Sequence, residues 1–317
     1  MTALVQSIAG WNSIAAQIRS DEVVGFVPTM GALHKGHGAL LKEARSRCSV
    51  VVASIFVNPI QFNQKSDYDL YPRVLADDVA FCTAHGVDYI FAPSDEEMYP
   101  EPQRVFVDVK EVSEHLCGQN RPGHFRGVAT VVLKLFQIVQ PRFAFFGEKD
   151  YQQLAVVRRV VRDLNIPIQV VGVPTVRESD GLAMSSRNRR LNLRARAFAP
   201  CLYKSLLATQ RSIARGERNV AAIKEHACQV LNRVPEIKIE YFDLVDPETI
   251  RPVYAVEGPV RVALAAWIGK TRLIDNVLCE PPRLPIEPHK NHPENRQAPT
   301  KIVDHVSPQD VGHLNRN

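Results

Sequence analysis

The chain has 317 residues, 45% of them hydrophobic, so it is long enough to bury one large core or two. Its formal net charge of +5 is modest; it suits an enzyme handling anionic substrates and argues against a nucleic-acid-binding protein, which would need a concentrated basic face. No apolar run is long enough to span a membrane, the opening residues lack a signal peptide's basic region and cleavage site, and the six cysteines contain no C-x-x-C pair, so a cytoplasmic protein without a disulfide framework or zinc site is expected.

Ile8, Trp11, Ile14, Ala15 and Ile18 recur at helical spacing, which predicts an amphipathic helix within residues 1–20. Residues 23–27 are apolar apart from Gly25 and read as a short buried strand, which Pro28 should end because it lacks an N–H. Gly31 supplies a turn. Leu33, His34, His37, Leu40 and Leu41 then repeat at helical spacing. A strand, a tight turn and a helix start suit phosphate, because the first helical turn has unpaired N–H groups and the positive end of the dipole. His34 and His37 share a helix face, and Gly36 between them leaves the backbone bare. The alternative is that the histidines cap the helix or lie on its surface. For His-x-Gly-His directly after an apolar strand, the anion site is the preferred reading.

Residues 49–57 form a second near-continuous apolar run, as parallel strands buried on both faces do, and complete a βαβ unit. Asn58 and Gln61 follow, just beyond the carboxyl end of that strand, where open α/β sheets bind ligands. Gln61 is a pocket candidate; equally, it could bond nearby backbone. Asp77 and Asp78 lie near a helix start, where adjacent carboxylates hold Mg²⁺ or simply favour the dipole. Residues 87–92 read as a third strand and residues 105–109 as a short edge strand.

A polar, turn-rich loop over residues 117–127 precedes an apolar helix over 128–139; in the loop, Arg121 and Arg126 could clamp a carboxylate or phosphate. A strand over 142–146 ends in Gly147, Glu148, Lys149 and Asp150, again phosphate geometry at a strand-to-helix junction; Lys149 could be an ordinary surface lysine, but its place at the junction favours an anion contact. A strand over 168–173 leads to a loop containing Val176, Met184, Ser185, Ser186 and Arg187, whose hydroxyls and guanidinium could wrap triphosphate oxygens; a serine run in a loop is more often a solvated turn, so this reading leans on the other motifs. Helices over 193–215 and 220–234 and two or three strands ending near residue 276 complete a small α+β unit. From residue 281 prolines are frequent and periodicity is lost, which predicts a disordered tail. The expected architecture is α/β. A Rossmann-like parallel-sheet nucleotide-binding domain (1–184) is followed by a smaller α+β domain (185–280) and the tail (281–317).

Residues 28–37, Pro-Thr-Met-Gly-Ala-Leu-His-Lys-Gly-His, resemble the signature of the pantothenate synthetase (pantoate–β-alanine ligase) family, within the HIGH-motif nucleotidyltransferases. Six further stretches are similar to the family in order: residues 56–62, 71–73, 121–125, 147–153, 184–188 and 271–276. The resemblance implies ATP-driven condensation of pantoate with β-alanine to pantothenate, AMP and pyrophosphate, through a pantoyl adenylate, by a homodimer using Mg²⁺. It implies that Met30, Gly31, Ala32, Leu33, His34, Lys35, Gly36, His37, Gly147, Glu148, Lys149, Asp150, Val176, Met184, Ser185, Ser186 and Arg187 surround ATP. Among them His37, the family's proposed proton donor, His34 and Lys149 are the expected catalytic groups. Gln61 and Gln153 would hold pantoate, with Asn58 and Arg121 completing the substrate set, and Asp77 and Asp78 match positions tied to Mg²⁺. The chain departs from the family's pattern where Phe81 replaces a third such position and Gly38 a larger residue. A different adenylyltransferase should lack the paired glutamines; a class I tRNA synthetase should carry a KMSKS-like loop, which residues 184–187 only echo.

Overall fold

Continuous apolar runs form the centre of the molecule because their alternate side chains enter different cores. In the computed structural model, which describes residues 2–282, β2 (Val24–Thr29) and β3 (Val50–Ile55) pair in parallel. Phe26, Val50 and Val52 point into one cluster with Trp11 and Phe136, while Val27, Val51 and Ala53 point into another with Leu41 and Ile90. This is the period-2 alternation of a sheet covered on both faces. Each such phenylalanine contributes about 1.5–3 kcal/mol by leaving water.

The sheet is completed by β1 (Ala3–Val5), β4 (Tyr89–Phe91), β5 (Phe143–Gly147) and β6 (Gln169–Val173), in the order β1-β4-β3-β2-β5-β6, all parallel. The order reverses between β2 and β5, so the carboxyl ends of these two strands flank the crevice where such sheets bind ligands. Pro28 does not end β2. It pairs with Ser54 of β3, and it is tolerated because pairing with β5 involves only Gly25 and Phe26.

The expected helix at residues 1–20 is preceded by β1 and spans Ile8–Ala15, with Trp11 fully buried and its Nε1 donating to Ile138 O at 2.7 Å. Residues 105–109 form no strand; Val107 N is satisfied by Thr130 Oγ1 at 3.0 Å, and the Arg126 guanidinium covers the Phe106 ring. The long helix expected over 193–215 is two, Leu193–Phe198 and Cys201–Ala214, broken at Pro200.

The second sheet is antiparallel: β7 (Ile237–Val245), β8 (Val260–Ile268) and β9 (Thr271–Cys279). It packs with helices Cys201–Ala214 and Val220–Asn232 around its own core, which already includes Leu182. A smaller cluster, with Val109 and Val156 on one side and Val245 and Ala263 on the other, joins the two parts. The expected tail falls, from residue 283 on, outside the described residues.

Candidate active site

The His motif is shaped by a turn that few residues adopt. Gly31 and Ala32 both have positive φ, 77° and 51°, so the chain doubles back directly after β2. His34 then adopts extended backbone as the N-cap of the helix Lys35–Arg47. Its Nδ1 accepts from Gly36 N at 3.1 Å, and His34 N donates to His37 Nδ1 at 3.2 Å. The two rings lie 4.1 Å apart between centroids. The histidines therefore do cap the helix, and the capping fixes their chemistry. An Nδ1 that accepts carries no proton, so both rings are neutral, with Nε2–H as the remaining donor. Desolvation pushes the same way, reinforced by the Lys149 charge for His34 and by His34 itself for His37, to pKa values of about 4 and about 3. Gly36 first makes room for its neighbour: a Cβ there would meet the His34 ring at 2.8 Å.

Gln61 sits in the 3₁₀ turn Pro59–Gln61, pressed against the helix His124–Val139. Asn58 is 1% exposed and holds it: Asn58 Nδ2 donates to Gln61 Oε1 at 3.1 Å and to Gly127 O at 3.2 Å, while Tyr99 OH donates to Asn58 Oδ1 at 2.7 Å. Gln61 Nε2 reaches Met30 Sδ, which ties this turn to the His motif. His124 Nδ1 meets Gln61 O at 2.8 Å, and its Nε2 meets Arg121 Nη1 at 3.1 Å. A carbonyl only accepts and a guanidinium only donates, so His124 is neutral with its proton on Nδ1. Desolvation, aided by the Arg121 charge, lowers its pKa to about 3.

Across the crevice, β5 ends in Gly147, beside which a Cβ would meet nothing within 4 Å, so its backbone faces open space. Lys149 and Asp150 follow, 3.5 Å apart between Nζ and Oδ2. Desolvation opposes ionisation of Asp150, yet the Lys149 and Arg187 charges hold its carboxyl below the usual range. Lys149, Asp150, Gln153, Ser185, Arg187 and Arg121 line one cavity with His124. Met30 and Gly31 line a second hollow with Asp78, and Lys35 and Val176 a third beside Gly38. The neighbouring Gln152 is structural: its amide bonds Cys117 N, Val112 O and His115 O.

Two residues of β9, for which sequence reasoning provided a motif but no role, set the far wall. Asn276 Nδ2 donates to Glu148 O at 2.9 Å and Lys149 O at 3.0 Å, and its Oδ1 accepts from Arg261 Nη1 at 3.0 Å. Asp275 binds Arg177 through both oxygens, at 2.6 and 3.0 Å, and Arg177 stacks on Tyr203. Arg177 bridges to Ala183 in antiparallel fashion, and the next residue, Met184, donates its N–H to Val176 O. Through these contacts β9 anchors both the Lys149 junction and the 184–187 loop. Asp67 pairs with Arg187 at 3.3 Å from the opposite rim.

The carboxylates matched to Mg²⁺ do not fit that ion. Asp77 is exposed, whereas Asp78 is buried with both oxygens on backbone N–H groups, Ala32 N at 2.9 Å and Leu33 N at 2.7 Å. Phe81, at the third position, stacks on His85. Among the described residues, no three His, Cys, Asp or Glu side chains gather to hold a metal. Both oxygens of Asp78, one of the two carboxylates matched to Mg²⁺, are thus engaged by the two N–H groups of the turn after β2.

A family model described as pantoate-beta-alanine ligase matches residues 3–278. The chain belongs to the pantoate-beta-alanine ligase family. A pantothenate synthetase of Fervidobacterium nodosum is 50% identical over 276 residues, covering 87% of this chain and 98% of its own. The crystal structure of pantothenate synthetase from Thermus thermophilus is similar with a TM-score of 0.82 at 48% identity, covering 87% of this chain and 98% of that one. That of the pantoate-beta-alanine ligase from Francisella tularensis, complexed with beta-gamma ATP and beta-alanine, has a TM-score of 0.74 at 36% identity, covering 88% and 98%. The expected resemblance and α/β fold are borne out, and the matched span includes every residue that the resemblance suggested for the site.

Proposed function

We propose that this chain condenses pantoate with β-alanine at the expense of ATP, releasing pantothenate, AMP and pyrophosphate through a pantoyl adenylate. The observation that carries this reading is the convergence, in a chain of this family, of Lys149, Gln153, Arg121, Ser185 and Arg187 on one cavity just beyond the carboxyl end of β5. Pantoate's carboxylate is ionised at neutral pH and needs no base to attack the α-phosphorus. The protein's task is to hold it in line and to stabilise charge on the phosphates. Lys149 supplies a fixed cation. His34 and His37, being neutral, supply Nε2–H donors rather than an acidic proton, and so act by hydrogen bonding to developing charge.

Gln61 and Gln153 present amides that donate and accept, which suits pantoate's hydroxyls and carboxylate. The adenylate is then attacked by the uncharged amine of β-alanine, and exclusion of water at that stage prevents hydrolysis. Mg²⁺ enters with the ATP triphosphate as part of the substrate, with no protein carboxylate assigned to it. A homodimer in the cytoplasm is the expected assembly and place. No helix among the described residues is long and apolar enough to cross a membrane.

Exchange of labelled pyrophosphate into ATP with pantoate and Mg²⁺ alone, before any β-alanine is added, tests the first step. Pantoate carrying ¹⁸O in its carboxylate should then leave one labelled oxygen in AMP after full turnover. ADP as product, or unlabelled AMP, overturns the reading.

A further inference from the structure

The helix Leu75–Ala84 lies against the His motif and meets it at two points. At the first, Asp78 is 2% exposed and receives Ala32 N and Leu33 N on its two oxygens. These N–H groups belong to a turn in which a non-glycine residue, Ala32, is held at φ 51°. That region is unfavourable for an L side chain unless its surroundings impose it. Leu33 leads directly into His34, so the direction in which the N-cap leaves the turn depends on what holds Ala32 and Leu33. At the second point, Phe81 and His85 stack 4.1 Å apart at 24°. They lie against Gly38, where a Cβ would come within 2.7 Å of His85 Nε2 and 3.3 Å of Phe81 Cζ. The two departures from the family pattern therefore meet in space: the aromatic stack fills the room that a larger residue at 38 would take.

We propose that the helix Leu75–Ala84 is a positioning element for the two histidines and not a metal site. Asp78 locks the Gly31–Ala32 turn through its paired oxygens, and the Phe81–His85 stack on Gly38 seats the first turn of the following helix. Together they preserve the His34 N–H bond to His37 Nδ1, and with it the Nε2–H form of His37. The kinetic consequence rests on the adenylating reading above; the structural consequence does not.

The test compares the wild type with Asp78→Asn, Ala32→Gly and the double variant, and adds Gly38→Ala as an independent probe of the stack. Asp78→Asn puts an amide NH₂ where one carboxylate oxygen accepted a backbone N–H. Ring-nitrogen NMR of the ligand-free protein should show the His37 tautomer signature of the wild type disturbed in Asp78→Asn and Gly38→Ala. Glycine adopts the left-handed turn without help, so the double variant should recover it in large part. With ATP and pantoate, adenylation should fall at least tenfold in kcat in Asp78→Asn, with a smaller change in ATP KM. The Mg²⁺ concentration for half-maximal rate should stay within twofold, and Mn²⁺ added to ligand-free protein should show no tight site by EPR. A tenfold rise in that Mg²⁺ concentration with full kcat at saturating metal and unchanged histidine signals would overturn the proposal. So would a tight Mn²⁺ site lost in Asp78→Asn. If the wild type shows no adenylation, the proposed function fails, while the nitrogen signals and Mn²⁺ binding still decide this proposal.

Discussion

Gly127→Ala tests how closely the pantoate side of the site is built. Gly127 lies in the first turn of the helix His124–Val139 and faces the turn that carries Gln61. A Cβ at this position would stand 2.5 Å from Ile60 O, 2.6 Å from Gln61 Cα and 2.8 Å from Gln61 N. All three are backbone atoms, so no rotamer change relieves the contact. Ordinary contact begins near 3.4 Å, so the turn must retreat by roughly 0.9 Å. Alanine is better than glycine in a helix by about 1 kcal/mol, whereas overpacking costs about 1–3 kcal/mol. The net change in stability is therefore small, about 0–2 kcal/mol of loss. The effect on activity is larger, because a retreat of that size stretches the Asn58 and His124 bonds that aim Gln61. Misplacing a binding group by ~1 Å costs on the order of 10²-fold. We expect kcat/KM for pantoate to fall about 100-fold with ATP KM little changed, read from initial rates at saturating β-alanine alongside thermal unfolding. A raised Tm with unchanged pantoate kcat/KM would refute the reasoning, since the helix would then have gained its propensity without meeting the turn.

His37→Ala should lower adenylation by roughly 10²–10³ while ATP affinity falls much less, as equilibrium nucleotide binding beside pyrophosphate exchange would reveal; equal losses would point to ground-state binding. Gln152→Ala should destabilise the protein by about 1–3 kcal/mol in urea unfolding, because it strands buried backbone groups, whereas Gln153→Ala should raise pantoate KM at nearly constant Tm. Asp275→Asn leaves Arg177 without its charge partner and should cost roughly 3 kcal/mol and weaken ATP binding; a variant with wild-type Tm and ATP KM would show that β9 does not anchor the loop. The histidines also set an acid limit. Burial lowers the pKa values of His34, His37 and His124 from the ordinary 6.5 to about 4, 3 and 3 in the folded chain. As pH falls below 6.5 the unfolded chain takes up protons first, so each histidine costs about 2 kcal/mol of stability by about pH 5. Above that ordinary value none contributes. Urea midpoints that stay flat from about pH 7 to 5 would contradict the neutral assignment.

The strands of the parallel sheet were legible because both of their faces are buried. Residues 23–27, 49–57 and 142–146 are nearly unbroken apolar runs, and a run of that length can satisfy two cores only as a strand. The three-residue β1 has no such run and exists only because β4 offers it an edge. Residues 105–109 show the opposite failure. Their composition favours a strand, but the backbone bond that would demand a partner strand is met by the Thr130 hydroxyl.

The site divides along the same line. Motif spacing pointed to His34, His37 and Lys149, because each follows a strand end, a turn or a helix start that the local chain dictates, whereas Gln153 and the 184–187 loop entered through the family resemblance. Local sequence could not tell that adjacent glutamines diverge, Gln152 into the backbone of residues 112–117 and Gln153 toward the cavity. Nor could it tell that Asp78 is spent on a turn 46 residues earlier, or that Asp275 and Asn276 of β9 hold the loop and the lysine junction. A carboxylate or amide has the same letter whether it faces a ligand or a stranded N–H. Which one it meets is settled by how the sheets and helices bring distant backbone groups to it, since buried donors must be satisfied wherever the fold leaves them.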